Sequence, residues 1–410
     1  MTDDESDRPT AGPGPPAAWR SDGDSAPAAS ALPPLADVDD GIDGPEVAAA
    51  KERRRRTWPW VLFVVVVVGI AAASRINLDY YAIQPGTAQS VQHFITVPPG
   101  KDHPVSHPVL LTDVEIGRVS ALSYLFYKAQ GNTSLEPVEA VTGGTPPSQL
   151  DAQGQLEMSQ AESYAKTAAL RRLGYTVTAT PAGAVVYGTF PGTPAYNALA
   201  VGDVITAVDG VATLTAQDLV STLRKYHSGQ TVTLAVRRGG TGGPTPVPLT
   251  LKSTVVDLGG GYKATLDVGF LPEDQVDYAY PFPVSIDVAD IGGPSAGLAM
   301  TLGVIDALTT GSLTGGHTVA ATGTIDSSGN VGDVGGVPQK TIAVENAGAS
   351  VFLVPPQEYR AAMSKDRPGL KIYAVSTLDQ ALVVLAAHGG TAVGTAASTT
   401  VPGQQAALAG

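Results

Sequence analysis

A run of small residues surrounds a single serine in the segment DIGGPSAGLAM, and this run restricts the local fold more than any other feature. Glycines and an alanine remove side-chain bulk on both sides of Ser295. The preceding stretch alternates apolar and polar residues and the following one is rich in Ala and Leu, which indicates a strand and then a helix. The segment predicts a strand-to-helix turn. It either exposes a nucleophile to an approaching substrate backbone or merely happens to contain a serine.

Composition excludes several kinds of site. The chain has no cysteine, which rules out disulfides, thiolate catalysis and Cys-ligated zinc. The net charge is −13, so the folded part lacks the basic face that nucleic acid requires. His103 and His107 are four residues apart, but a proline follows each, which argues against a metal pair on a helix. We therefore predict no metal, no cofactor and no nucleic-acid partner.

The first part of the chain predicts a disordered tail and then a membrane anchor. Residues 1–57 begin with a stretch rich in Pro, Ala, Asp and Gly that cannot form a core. Four arginines at 53–56 precede an uncharged run within residues 58–75, so we expect a transmembrane helix there, in contact with the lipid bilayer. The positive-inside rule then places the N-terminus in the cytoplasm and the rest outside. A buried soluble helix and signal-peptidase cleavage at 71–73 are the alternatives.

Residues 76–170 contain two segments that read as strands, HFITVPPG and PVLLTDVEIG, and then a helical segment. This helix, LEMSQAESYAKTAALRRLG, has Ser159 as its expected N-cap and Gly174 as its stop.

The middle of the chain alternates short strands, glycine turns and one amphipathic helix. The expected elements are strands over Ala184–Tyr187, Val204–Val208 and Thr231–Val236, with a helix over Ala216–Tyr226 that Thr215 caps. The phrases PAYNALAVGDVITAVDG and DLVSTL resemble those of PDZ domains. The resemblance implies that an extended peptide adds as a strand beside the helix. It leaves the loop that would bind a peptide carboxylate unplaced.

Two kinds of partner could activate Ser295. The pattern G-x-S-x-G over 293–297 matches the nucleophile elbow of esterases, which would need a histidine such as His317 or His388, but no HGGG oxyanion motif precedes it. Alternatively, Lys340 lies in a glycine-rich and nearly uncharged stretch. A poorly solvated amine has a lowered pKa and can take a hydroxyl proton. Alternatively, Lys340 has no catalytic role and lies at the start of a helix with its ammonium group extended into solvent.

The segments GGPSAGLAM and TGTIDSSGNVGDVGGVPQKTIAVENAGA together resemble the proteolytic domain of the Lon family over roughly residues 256–388. The resemblance implies that Ser295 is the nucleophile and Lys340 its general base. It also implies that Thr322 hydrogen-bonds near the lysine, and that backbone N–H groups around Gly293 and Ala296 hold the oxyanion. One departure is that glycine stands directly before Gly-Pro-Ser, where many members have an acidic residue; Asp290 is two residues earlier.

The whole chain resembles PDZ-containing, membrane-anchored Lon-like proteases of the YlbL type. The expected fold class is α+β with one transmembrane helix, divided into a cytoplasmic tail (1–57), an anchor (58–75), an N-terminal protease part (76–175), a PDZ domain (176–254), a Lon-type domain (255–390) and a low-complexity tail (391–410). No G-x-x-x-x-G-K-[ST] motif occurs, so no nucleotide is expected.

We therefore expect an ATP-independent serine endopeptidase that works in envelope quality control or regulated proteolysis. Its PDZ groove would capture segments or C-termini of unfolded or membrane-tethered proteins. A catalytically inactive PDZ adaptor at the membrane is the alternative. Lon-type domains often form rings, so a homo-oligomer is compatible with the resemblance.

Overall fold

The computed structural model describes residues 45–257, 262–288, 291–365 and 367–391. The expected tails, up to residue 44 and from 392, and Asp290 lie outside the described residues. The helices are α1 Pro45–Ala73, α2 Ala121–Gln130, α3 Val138–Thr142, α4 Pro147–Arg172, α5 Ala216–Leu223, α6 Gly297–Leu308, α7 Val337–Asn346, α8 Tyr359–Met363 and α9 Leu378–Ala387. The first strands are β1 Asn77–Ser90, β2 Ile95–Thr96, β3 Leu110–Ser120, β4 Ser134–Pro137, β5 Thr178–Thr189, β6 Val204–Val208, β7 Val211–Ala212, β8 Thr231–Arg237 and β9 Thr245–Thr250. They are followed by β10 Thr254–Asp257, β11 Lys263–Leu266, β12 Phe270–Ala279, β13 Ser285–Ile286, β14 Val319–Ala321, β15 Thr324–Ile325, β16 Val331–Gly332, β17 Val351–Val354 and β18 Lys371–Ala374.

Helix α1 corrects the prediction of a membrane anchor at 58–75. Over the described residues, the structure contains no helix with the length and apolar character needed to cross a bilayer. The uncharged part of α1 runs from Trp58 to Ala73, which is shorter than the ~20 apolar residues that a spanning helix requires. The predicted transmembrane helix and the single-pass location in the bacterial cell membrane are therefore wrong. Residues 45–57, assigned above to the disordered tail, belong to this helix.

The chain divides into two compact units, one ending at Val65 and one beginning at Val66. The second unit contains a mixed six-stranded sheet in the order β18-β17-β14-β3-β1-β4. One half of this sheet is parallel and consists of β18, β17, β14 and β3. In the other half, β1 pairs antiparallel with β3 and β4. Because parallel strands and helices alternate, the architecture is mixed α/β. The predicted class, α+β with a transmembrane helix, is corrected accordingly.

Side chains alternate across this sheet and pack into two separate cores. Val319 and Ala321 of β14 face the core formed with α4, α6 and α9, whereas Ala320 between them faces the core formed with α7. Helix α6 lies wholly within the first core, and all its residues except the last are buried. The sheet therefore separates α6, which follows Ser295, from α7, which carries Lys340.

A second sheet in the same unit has the order β12-β5-β6-β8-β9 and encloses its own apolar core. Helix α5 covers this core through buried Leu219. Its N-terminus is a capping box, in which the Thr215 hydroxyl accepts from the Asp218 N–H and the Asp218 side chain accepts from the Thr215 N–H. The predicted cap at Thr215 is therefore confirmed, and the helix ends at Leu223, before the predicted Tyr226.

Helix α4 is longer than the sequence predicts. It begins at Pro147, in the favoured first position of a helix, and continues through Ser159 to Arg172. The chain reverses after it at Gly174, which has a φ of 83°. Helix α4 packs on α6, on the Pro294–Ala296 turn and on β5, so it contacts both the Ser295 region and the second sheet.

Candidate active site

Ser295 lies in a tight turn directly before helix α6. Gly293 has a φ of 88°, a conformation that favours glycine, and Pro294–Ala296 form one 3₁₀ turn before the α-helix begins at Gly297. A Cβ at Gly297 would lie 2.9 Å from the Ile325 nitrogen. The predicted strand-to-helix turn therefore places Ser295 two residues before the helix. Close packing therefore requires glycine at 297, and the backbone conformation favours glycine at 293.

Thr322 lies at the carboxyl end of β14, where it meets the Ser295 turn. Its hydroxyl donates to the Ser295 carbonyl oxygen over 3.2 Å, and the Gly323 N–H donates to the same oxygen over 3.0 Å. The Thr322 N–H bonds to the Leu353 carbonyl of the neighbouring strand β17 at 3.0 Å. The sheet thus fixes the threonine, and the threonine fixes the backbone of the serine.

Lys340 reaches the same threonine from the opposite face of the sheet. It lies in the first turns of α7, its side chain is almost completely buried, and its Nζ donates to the Thr322 Oγ1 over 3.2 Å. No ion pair to Lys340 occurs within the described part of the chain. The amine is therefore held by a neutral hydroxyl instead of a carboxylate.

Burial is the main influence on the acid–base behaviour of Lys340. Loss of solvation lowers the pKa of its amine to about 8, against the opposing effect of the negative charges of Asp113 and Glu358. The pKa of Glu358 is itself raised, mainly by burial. A lysine with this pKa is partly neutral near physiological pH and is able to accept a proton.

The structure brings Ser295, Thr322 and Lys340 together through Thr322. In the described residues, no hydrogen bond connects the Ser295 hydroxyl directly to the Lys340 amine. The other two residues expected to help hold the oxyanion differ in their surroundings. Ala296 is buried in the turn, whereas the Gly293 N–H donates over 2.9 Å to the carbonyl of Gly154 in α4. The Gly293 donor, assigned above to an oxyanion, is thus already used.

Gly154 is a contact that the sequence analysis missed. It lies in the interior of α4, where glycine costs about 1 kcal/mol relative to alanine. A Cβ there would be 3.7 Å from the Gly293 nitrogen and 3.8 Å from the Gly292 Cα. No local signal marked this contact, because Gly154 precedes the helical segment that the sequence predicts and the bond joins distant parts of the chain.

The two histidines of the esterase hypothesis lie together elsewhere. The rings of His317 and His388 have centroids 5.4 Å apart, and the His388 Nε2 is 2.9 Å from the Tyr373 hydroxyl. Burial lowers the pKa of His388. Neither imidazole hydrogen-bonds to Ser295 in the part of the chain that the structure describes.

A cavity of about 380 Å³ adjoins the Ser295 turn at Pro294. Its walls come from α4, from strands β5 and β12 of the second sheet, and from the β15–β16 hairpin. Tyr187 of β5 and Glu273 of β12 are among the lining residues. Burial raises the pKa of Glu273, and nearby Glu157 adds to the effect. The second sheet therefore forms part of the surroundings of the serine.

Strand β12 is the outer strand of the second sheet and lies next to α5. Over the described residues it pairs with β5 alone, so one edge is open. The Asp274 Oδ1 accepts from the Ala216 N–H at the start of α5 over 2.7 Å. At the other end, Val268 before β12 and Leu223 at the end of α5 pack against the same core. An edge strand and a helix thus run side by side.

Two family models match the chain, each over less than half of its length. Residues 171–247 match the PDZ domain, and residues 288–387 match the Lon protease (S16) C-terminal proteolytic domain. The PDZ domain of an SdrC-like protein from Listeria monocytogenes has 22% identity and a TM-score of 0.18, covering 22% of this chain and 87% of that one.

Lon proteases are among the curated relatives of the chain. Lon protease 2 of Bacillus subtilis is 36% identical over 28% of this chain, and the Lon protease of Koribacter versatilis is 35% identical over 22%. The matches span only 20% and 12% of those two proteins. The chain thus combines a PDZ domain with a Lon-type proteolytic domain, and these similarities support a serine protease.

Proposed function

We propose that the chain is an ATP-independent serine endopeptidase in which Ser295 and Lys340 form a catalytic dyad. The proposal depends mainly on one observation: a buried lysine amine with a lowered pKa and no ion-pair partner among the described residues, held at the threonine that binds the Ser295 backbone. A buried charge without a compensating partner is costly, so such a residue indicates a functional role.

In the proposed reaction, the neutral Lys340 amine takes the Ser295 hydroxyl proton as the oxygen attacks a peptide carbonyl. The ammonium then gives that proton to the leaving amine, and an ester on Ser295 remains. A water molecule, deprotonated by the same amine, hydrolyses the ester. Because the Gly293 N–H is bonded to Gly154, we assign the oxyanion to the N–H groups of Ser295 and Ala296.

We further propose that the PDZ domain holds a segment of an unfolded protein along the open edge of β12, beside α5. Main-chain hydrogen bonds to an edge strand give affinity with little sequence preference. The turn before β12 is the candidate site for a terminal carboxylate, because it leads into that edge and Val268 packs near the end of α5.

The test is cleavage of fluorescein-labelled casein, an unfolded protein, without nucleotide. Wild-type chain should release labelled peptides, Ser295→Ala should reduce release to background, and Ser328→Ala, which removes a nearby exposed hydroxyl, should cleave normally. Circular dichroism should show that Ser295→Ala remains folded. Equal cleavage by wild type and Ser295→Ala would contradict the proposal.

The inactive-adaptor alternative has one observation in its favour, since the Ser295 hydroxyl and the Lys340 amine are not hydrogen-bonded in this structure. It predicts no cleavage by the wild-type chain but normal binding of unfolded casein. His317→Ala separates the esterase alternative, because only that alternative requires the imidazole and predicts a loss of activity.

A further inference from the structure

Helix α4 contacts the second sheet, which belongs to the PDZ domain, through side chains spaced four residues apart. The Gln149 Oε1 accepts from the Thr189 N–H over 3.1 Å, the Gln153 Nε2 donates to the Tyr187 carbonyl over 3.0 Å, and Glu157 accepts from the Tyr187 hydroxyl. Residues at this spacing lie on one face of a helix. Two of the three bonds are made to the backbone of β5, so they fix the position of the strand and do not depend on its side chains.

The same part of α4 holds the turn that carries Ser295. The Gly154 carbonyl, one residue after Gln153, accepts from the Gly293 N–H over 2.9 Å, two residues before the serine. A Cβ at Gly154 would lie at ordinary van der Waals distance from Gly292 and Gly293, so the link between the two backbones is this hydrogen bond. Further along the helix, Met158 and Ala161 are buried in the core with α6. The same stretch of α4 therefore contacts both strand β5 of the PDZ domain and the turn that carries Ser295.

We propose that α4 is the element through which the PDZ domain positions the Ser295 turn, with Gln149 and Gln153 as positioning residues for hydrolysis. The inference rests on the proposed function of Ser295. Strand β5 pairs with β12 along its length, and β12 provides the edge assigned to the substrate segment. A shift of that pair of strands is passed to α4 through the two glutamines, and then to Gly293 through Gly154.

The two glutamines play opposite hydrogen-bonding roles, and this makes the proposal specific. Gln149 accepts, so Gln149→Glu keeps the bond to the Thr189 N–H, whereas Gln149→Lys loses it. Gln153 donates, so Gln153→Lys keeps the bond to the Tyr187 carbonyl, whereas Gln153→Glu loses it. If only the added charge mattered, glutamate would change kcat in the same direction at positions 149 and 153, and so would lysine.

The experiment measures kcat and KM for labelled casein with the full chain. We expect Gln149→Lys and Gln153→Glu each to lower kcat about tenfold, because small displacements at a catalytic centre are costly, with KM nearly unchanged. The melting temperature should fall by only a few degrees, because each variant leaves one backbone group of β5 without its partner. Gln149→Glu and Gln153→Lys should keep wild-type kcat. Gln155→Ala, an exposed glutamine of the same helix, is the matched control.

A second measurement is amide hydrogen exchange in the segment 292–296. Exchange there should be faster in Gln149→Lys and Gln153→Glu than in wild type, because the Gly293 bond to Gly154 is then less well held. If wild type cleaves casein in a Ser295-dependent way but all four variants keep kcat and exchange unchanged, the inference is overturned and the proposed function stands. If wild type itself does not cleave, the proposed function has failed, and the exchange result alone decides whether α4 positions the turn.

Discussion

Asp203 of the PDZ domain and Lys340 of the proteolytic domain are both ionisable and almost completely buried, but their surroundings differ. The Asp203 carboxylate lies 2.6 Å from the Arg238 guanidinium and accepts from the N–H groups of Ala200 and Gly239. Lys340 has a single neutral partner, the Thr322 hydroxyl, in the described structure. The aspartate has partners that compensate the cost of burying its charge, whereas the lysine is kept at the expense of stability. The difference separates a structural charge from the one to which we assign a catalytic role.

Replacing Lys340 should produce the largest effect and move activity and stability in opposite directions. Lys340→Met should reduce casein cleavage roughly a thousandfold, the usual range for loss of a general base. Below pH 8 it should also raise the free energy of unfolding by up to about 3 kcal/mol, because an amine whose pKa falls from 10.5 to about 8 on folding destabilises the native state while protonated.

The stability of the wild-type chain should consequently rise as pH increases from about 8 to 10.5, where the unfolded lysine still holds its proton and the folded one does not. This gain should be absent in Lys340→Met. Urea unfolding at several pH values measures both effects. Lys371→Met, an exposed lysine, should change neither quantity. A Lys340→Met chain that is inactive but also less stable would indicate a structural lysine and remove the contrast with Asp203.

Replacing Asp203 should have the next largest effect, on stability. Asp203→Ala leaves the N–H groups of Ala200 and Gly239 and the half-exposed Arg238 guanidinium without their acceptor and should lower the free energy of unfolding by about 3 kcal/mol. Asp277→Ala is the control, because its ion pair with Arg237 is 3.9 Å long and exposed, and should cost less than about 0.5 kcal/mol. Urea denaturation compares them. If both variants lose the same amount, the buried pair is no more important than the surface one.

The features that the sequence predicts are those set by neighbouring residues. The cap at Thr215 follows from the four residues after it, and the burial of Lys340 from the uncharged glycine-rich stretch before it. The bond from Gly293 to Gly154 was not predictable, because it joins distant parts of the chain whose approach depends on the packing of α4 on α6. The start of α4 at Pro147 was also missed, although proline in the first position of a helix is a local signal.

The membrane anchor failed for a different reason. The prediction relied on the uncharged character of the run after the four arginines, although the length of that run is slightly below what a bilayer requires. Local hydropathy indicates that a segment is apolar but does not decide what covers it. The presence of PDZ and Lon-type domains, by contrast, was predicted from extended motifs and is confirmed by the family matches.

Thr322 should give the smallest effect and the most specific one. The wild-type rate should rise about tenfold per pH unit below pH 8 and level off above it, because only the neutral amine of Lys340 acts as a base. Thr322→Val removes the oxygen that accepts from the amine, and this bond favours the charged form. The midpoint of the pH profile should therefore move roughly one unit lower, and the plateau rate should fall about tenfold because the amine is less well oriented. Thr322→Ser should restore both the midpoint and the plateau rate.

The control is Thr341→Val, which removes a buried hydroxyl that donates to the carbonyl of Val337 within α7. This variant should leave the midpoint in place. An unchanged midpoint in Thr322→Val would mean that the threonine holds the Ser295 backbone without affecting the base. Lys340 would then lack even the neutral partner that distinguishes its site from that of Asp203.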